Sequence, residues 1–337
     1  MANAGKVYFI KTNFVKNLEP ALGKFSLSAW KGKSVAVKLH MGEYGNLNYV
    51  RPPIAGKIVE LLKAAGAKPF LYDSVTKYKA KRYTVGDYYD TARRNGFTEE
   101  TIGCPIVISD NAIEKKGVLF DAGVCKEIAE AGAMVVLTHC KGHAFSGLGG
   151  AIKNLGMGAV DRKTKDACHG KANMVVDPQK CKGCAACVDG CPVGAIEVKK
   201  GKAAIDYGRC WGCAKCFKAC PQGAMSPREI MPDAGLANCA LAVLNCFEKK
   251  NLLFVNVLMD IAKICDCHGD AALAEMPGIG ILASDNILAI DNASIDLINQ
   301  KFGKDFFDSI GYRDPKQQIE WLEKHGYGKR DYELAGI

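Results

Sequence analysis

Residues 181–196 read CKGCAACVDGCPVGAI and residues 210–225 read CWGCAKCFKACPQGAM. Both carry the spacing C-x2-C-x2-C-x3-C-P, and nine of the sixteen aligned positions are identical at an offset of 29, so the segment is an internal duplication. Three cysteines at x2 intervals let a tight loop wrap three corners of an iron–sulfur cube. The small residues Gly183, Ala185, Gly212 and Ala214 let backbone N–H groups approach the sulfurs. A fourth cysteine followed by proline turns the chain away and serves the cluster of the other half. The spacing therefore assigns Cys181, Cys184, Cys187 and Cys220 to one 4Fe-4S cluster, and Cys210, Cys213, Cys216 and Cys191 to a second. Four thiolates also suit zinc. Zinc ribbons, however, pair two C-x2-C units across a long loop, and here two complete four-cysteine runs each end in Cys-Pro.

From about residue 172 to 230 the chain resembles a bacterial two-cluster 4Fe-4S ferredoxin, and no ligand position departs from that pattern. The resemblance implies a compact α+β unit with two cluster loops and two hairpins, around MVVD and IEVKKGKAAID.

Outside this stretch, strand-like and helix-like segments alternate. Expected strands are KVYFI (6–10), SVAVKLH (34–40), PFLYD (69–73), PIVIS (105–109), MVVLTH (134–139), LLFVNVLM (252–259) and NILAI (286–290). Expected helices lie at 51–67, 85–96, 125–133, 236–250, 293–303 and 315–326. Such alternation predicts an α/β fold with a mostly parallel sheet and flanking helices. Because it continues on both sides of the cysteine repeats, the simplest organisation is one α/β domain in two segments, 1–171 and 231–337, with 172–230 inserted between them. Insertions enter at exposed loops, here the one expected to include Asp166 to Asn173.

The bulk properties narrow the function. The 337 residues include 16 cysteines, and the first twenty residues have no signal-peptide core. The expected compartment is the cytoplasm, where thiols stay reduced and metal ligation is the better use of cysteine. The longest apolar stretch, at 252–259, is too short to span a bilayer. The formal charge of +9 would fall to about +5 with two oxidised clusters bound. No aromatic-interleaved basic stripe is present, so neither nucleic acid nor a membrane is an expected partner.

Three polar clusters follow expected strands: His40 to Glu43, His139 to His143, and Met259 to Cys267. Ligands of open parallel sheets bind beyond the carboxyl ends of the strands, so one shared crevice is expected, with His40, His143, Lys153, Cys265 and Cys267 as candidate catalytic residues. Each has a plainer reading. His40 suits a core histidine, Lys38 with Glu43 a solvated pair, and His139 with His143 ordinary loop polarity. The stretch FSGLGGAIKNLGMG (145–158) matches neither G-x-G-x-x-G nor a P-loop. It does offer a helix N-terminus near Gly149 for an anion, with Lys153 and Asn154 nearby.

Among the eight cysteines outside the repeats, Cys239 and Cys246 share a helix face and read as core, while Cys104 and Cys125 have no recognisable partner in sequence. In ICDCHGD (264–270), two cysteines adjoin an aspartate and a histidine. On an extended segment Cys265 and Cys267 would point the same way, as metal chelators, a redox dithiol or buried filler.

The phrases VAVKLHMGE (35–43), YKAKRYTVGDYYDTARRNGF (78–97), HCKGHAFSGLGGAIKNLGMG (139–158), CDCHGD (265–270) and GILASDNILAID (280–291) resemble the family known as domain of unknown function 362, many of whose members carry an inserted two-cluster ferredoxin. The resemblance implies that Lys38, His40, Lys141, His143, Lys153, Asn154, Cys265, Cys267, Asp285 and Asp291 belong to recognition motifs. It implies no reaction. The leading expectation is an iron–sulfur redox protein, an oxidoreductase linked to a partner such as ferredoxin. Its two 4Fe-4S clusters would exchange electrons with a crevice holding a further metal or small-molecule ligand, chemistry that suits an anaerobe. The rivals are a metal- or anion-binding, redox-sensing protein with structural clusters, and a non-redox enzyme using His40 or His143. The second rival needs an open iron, and four cysteines per cluster leave none.

Overall fold

Short apolar runs bounded by glycine and polar residues supply the strands of one central sheet. The computed structural model describes residues 4–269 and 273–337, so Asp270 of the ICDCHGD motif lies outside the described residues. Eight strands form the sheet: β1 (Gly5–Ile10), β2 (Ser34–Lys38), β3 (Lys68–Ser74), β4 (Ile106–Ser109), β5 (Ala133–His139), β6 (Leu252–Leu258), β7 (Gly280–Ser284) and β8 (Tyr332–Gly336). Their order is β8-β1-β7-β6-β5-β2-β3-β4. Every pairing is parallel except those of β7 with β1 and β6. The fold is thus a mixed α/β architecture with a largely parallel sheet and flanking helices.

β5 and β6 are buried along their whole length, which is why they read as continuous apolar runs instead of alternating ones. Successive side chains still leave by opposite faces. Met134, Val136 and Phe254 join one core, and Val135, Leu137, Leu253 and Val255 the other. Helix α1 (Pro52–Ala64) covers the second face, starting with proline where its missing N–H costs nothing. Helices α2 (Ala151–Gly158), α4 (Pro232–Leu244) and α5 (Ile287–Phe302) cover the first, and α3 (Arg162–Ala172) packs against α4.

Three expectations outside the cysteine segment change. NILAI is the start of α5, where Asn286 Oδ1 accepts from Leu288 N and Ala289 N as an N-cap; the strand is the preceding GILAS. A short apolar run does not by itself separate buried helix from buried strand. The residues expected as an exposed loop from Asp166 instead belong to α3, and the helix expected at 125–133 shrinks to Lys126–Ala129.

Between α3 and α4 the chain builds its own small core from Met174, Cys181, Cys187, Ile196, Ala203, Ala214, Cys216, Ala224 and Met225. Ile196–Lys199 and Lys202–Ile205 form a hairpin. Met174–Val176 does not: it pairs antiparallel with Met225–Pro227, beyond both cysteine runs. That pairing brings the two ends of the segment together.

Candidate functional site

The duplication is visible in the backbone of the cysteine segment. Gly183 and Gly212, Ala185 and Ala214, and Gly194 and Gly223 all have positive φ, from 55° to 71°. For the two alanines this conformation is unfavourable by about 1–2 kcal/mol each, a cost that the tight loop around the sulfurs imposes. At Gly183 a side chain would also collide with the Gly201 carbonyl, 2.6 Å from the Cβ position. Backbone N–H groups aim at four sulfurs. Ala203 donates to Cys181 at 3.4 Å, Ala195 to Cys191 at 3.2 Å, Gly212 to Cys210 at 3.4 Å and Ala224 to Cys220 at 3.3 Å.

Cysteines of the two runs lie near one another: Cys220 acts on Cys187, Cys191 on Cys213 and Cys187 on Cys216. Burial raises the Cys187 thiol pKa, with added contributions from Cys220, Cys181 and Cys184. Burial likewise raises Cys213, with Cys210 and Cys191 beside it, and pushes Cys216 up to about 12, with Cys213 and Cys210 beside it. Cys181, Cys184, Cys187 and Cys220 line one small cavity. No three of the eight bring their ligating atoms within 4.8 Å of one another among the described residues.

A second, larger cavity of about 510 Å³ opens beyond the carboxyl ends of β2, β3, β5 and β6. His40, Glu43, His143, Lys153, Cys265 and Cys267 all line it, so the polar clusters that follow three separate strands meet in one place. Cys210 and Trp211 of the cysteine segment line it as well, and the Trp211 ring packs on His268 at 5.1 Å between centroids.

Buried charge fixes the cavity floor. Lys38 does not pair with Glu43. It forms a buried ion pair with Asp73 at 3.0 Å and donates to Asn154 Oδ1 at 2.6 Å. Asn154 in turn donates to Leu137 O and Thr138 Oγ1, both at 3.0 Å, which ties α2 to β5. Burial opposes ionisation of Asp73, but Lys38, His40 and Tyr88 outweigh it and hold the carboxyl well below its usual range. Glu43 pairs instead with buried Arg82 at 3.1 Å. His40 stands between two carboxylates, Nδ1 at 3.6 Å from Asp73 and Nε2 at 3.6 Å from Asp266, and this Nε2 has no hydrogen-bond partner among the described residues.

Residues 265–268 form a turn, not an extended strand. Asp266 points inward, where it accepts from Lys141 Nζ at 2.8 Å and contacts His139 Nδ1 at 3.2 Å. Burial disfavours its charge; Lys141 and then His40 overcome that and hold the carboxyl at about 2. The loop's carbonyls are also engaged. Glu43 N donates to Asp266 O at 3.1 Å, Tyr78 Oη to Cys267 O at 3.0 Å and Asn46 Nδ2 to His268 O at 2.7 Å. The Cys265 and Cys267 sulfurs are thereby left facing the cavity. Burial works against a Cys265 thiolate, yet the Cys267 thiol, Lys153, Lys141 and His143 favour it, and its pKa lies well below the ordinary value.

Two expected roles move. The N-terminus of α2 has no room for an external anion, because Asp291 already accepts from Ala151 N at 2.8 Å and Ile152 N at 3.0 Å. Burial raises that carboxyl to about 6. Asp285 is exposed and does not line the cavity. Sequence reasoning missed Asp73, Arg82, Lys165 and Trp211. Asp73 looked like an ordinary strand end. Lys165 stands just before the expected loop; it lines the cavity, donates to Ser74 Oγ at 2.7 Å, and is lowered by burial to about 8.

The chain belongs to the family described as Domain of unknown function (DUF362), whose profile matches residues 35–296. No curated protein matches it. Among solved structures it is similar to the lactate racemase apoprotein from Thermoanaerobacterium thermosaccharolyticum, with 14% identity and a TM-score of 0.37 over 76% of this chain and 51% of that one. It is also similar to a protein from Thermotoga maritima, with 10% identity and a TM-score of 0.45 over 86% of this chain and 57% of that one. The chain thus covers a little over half of either structure's length. No helix among the described residues is long and apolar enough to cross a membrane.

Proposed function

We propose that the chain is an iron–sulfur redox protein in which residues 172–230 form a ferredoxin-like insert between α/β segments 1–171 and 231–337. In this reading Cys181, Cys184, Cys187 and Cys220 hold one 4Fe-4S cluster, and Cys210, Cys213, Cys216 and Cys191 hold the other. The observation that carries it is the position of Cys210 in the wall of the 510 Å³ cavity that His143, Cys265 and Cys267 also line. When bound, such clusters supply one-electron transfer at low potential.

The chain's own residues give the transfer a direction. Cys184 of the first set is exposed. Lys182 beside it, and Lys199 and Lys200 on the hairpin turn that meets Gly183, are exposed too. This basic face suits an acidic electron carrier such as a ferredoxin. Cys210 of the second set faces the cavity, where substrate would be held away from bulk water. The N–H groups of Ala203, Ala195, Gly212 and Ala224 stabilise negative charge on the sulfurs and tune their potential.

Anaerobic titration with dithionite and with a reduced ferredoxin tests the reading. Protein carrying its full iron and sulfide is expected to bleach in the visible and to develop a paramagnetic signal. Fully loaded protein that no reductant reduces would end the electron-transfer claim.

A further inference from the structure

His143, Cys265 and Cys267 each present one ligating atom to the cavity, and the three atoms lie within 4.8 Å of one another. They come from two loops far apart in sequence, the one after β5 and the one after β6. We propose that these three residues hold a single divalent transition-metal ion, with a fourth position that opens into the cavity and takes a small organic carboxylate.

The spacing decides the nuclearity. Around one tetrahedral ion, sulfur bonds of about 2.3 Å and a nitrogen bond of about 2.0 Å place the ligands under 4 Å apart. Small side-chain rotations close the observed triad to that size. Two thiolates and an imidazole select zinc or another borderline-soft ion over magnesium or calcium. Three protein ligands with a vacant fourth position form the pattern of reactive rather than structural sites.

The surroundings are built for such a site. Three successive carbonyls of the cysteine loop are hydrogen-bonded, and Asp266 is anchored beneath it by Lys141, so the sulfurs are preorganised. Asp266 lines none of the cavity and its carboxylate is taken up by Lys141 and His139, so a fourth ligand has to arrive from the cavity side. Two contacts compete. The Cys265 thiol donates to Asp266 Oδ1 at 3.3 Å, and metal binding displaces that proton. Phe145 N donates to His143 Nδ1 at 3.2 Å, and coordination of the ring takes over the lone pair or tautomer which that bond uses. His143 is therefore the weakest of the three ligands, and the sulfurs carry most of the affinity.

Charge around the open position names the ligand class. Lys38, Lys77 and Arg82 line the cavity but are paired with Asp73, Asp166 and Glu43. Lys153 and Lys165 line it without a carboxylate partner among the described residues, and Lys153 Nζ lies 3.9 Å from Cys265 Sγ. A carboxylate bound to the ion beside Lys153 would gain a charge-assisted hydrogen bond. The site shares its cavity with the proposed redox function and deepens that reading, but it stands on separate ligands.

The test is total metal against acid-labile sulfide in anaerobically purified full-length protein. A four-iron cube contains equal iron and sulfide, so metal in excess of sulfide counts mononuclear ions. Sulfide alone reports on the clusters, so failure of either proposal shows separately. Wild type is expected to carry about one excess ion per chain. Cys265→Ser and Cys267→Ser should lose it with sulfide unchanged, and His143→Ala should weaken cobalt(II) binding about ten-fold or more. Where a cysteine variant misfolds, cobalt(II)-loaded wild type decides alone, through a thiolate-to-cobalt charge-transfer band. Oxalate should shift that spectrum, and Lys153→Met should keep the band while weakening oxalate about ten-fold. Three results would overturn the site: wild type with full sulfide, no excess metal and no cobalt band; excess metal that survives both cysteine variants; or a Cys265–Cys267 disulfide in the anaerobic protein. A cobalt spectrum indifferent to oxalate would overturn the open, anion-binding position.

Discussion

In the cysteine segment, residues within a few positions of one another set the geometry. Gly183, Ala185, Gly212 and Ala214 turn the loops through positive φ, and N–H groups nearby in the small fold meet four of the sulfurs. At the large cavity almost nothing is local. His143 follows β5, Cys265 and Cys267 follow β6, and the loop between those cysteines is held by Glu43, Asn46, Tyr78 and Lys141. The first region depends on a short, duplicated spacing, whereas the second depends on the sheet bringing strand ends together. Damage should divide accordingly: faults in the sheet's buried charges should reach the cavity and global stability, and faults in the loops should stay in the segment.

The largest expected effect is at Asp266. Asp266→Ala leaves Lys141 buried beside His139 without its carboxylate, and breaking a buried pair in this way costs about 3–5 kcal/mol. Urea unfolding of the variant should show this loss, while sulfide per chain in the folded fraction remains that of wild type. Equal loss of both would mean that the two regions are a single cooperative unit. The pH dependence has a definite sign. The folded carboxyl sits at about 2, below its unfolded value, so its stabilisation is complete above the ordinary carboxylate range and disappears as pH falls from about 4 toward 2. Asp266→Asn should flatten that part of the wild-type stability curve.

A smaller and more local effect is expected at Gly183. Gly183→Ala places a methyl group against the Gly201 carbonyl in a left-handed conformation, a local strain of about 1–3 kcal/mol. Sulfide content should fall toward half while the unfolding transition of the α/β sheet stays within about 0.5 kcal/mol of wild type. A shift in that transition comparable to the Asp266→Ala loss would break the contrast between the regions.

The same contrast explains what the sequence revealed. The expected assignment of the eight repeat cysteines to two sets came from spacing alone, because the turns that set it are local. Six of the seven expected strands lie in the central sheet; the seventh, NILAI, is helical because Asn286 caps it and because an all-buried run has no telling period. At the cavity, the sequence suggested His40, His143, Lys153, Cys265 and Cys267, since each follows or packs near a strand end. It could not show that Lys38 chooses Asp73 over Glu43, that Asp291 fills the N-terminus of α2, or that Trp211 reaches His268. Those pairings are set by strand order, and strand order is not written in any one stretch of the chain.

The central claim is that the eight repeat cysteines hold two 4Fe-4S clusters, one of them beside the cavity. Iron and acid-labile sulfide per chain, measured on anaerobically isolated wild-type protein, test it most directly. About eight sulfides per chain, with iron to match, are expected. Zinc in the cysteine segment with no sulfide would contradict it.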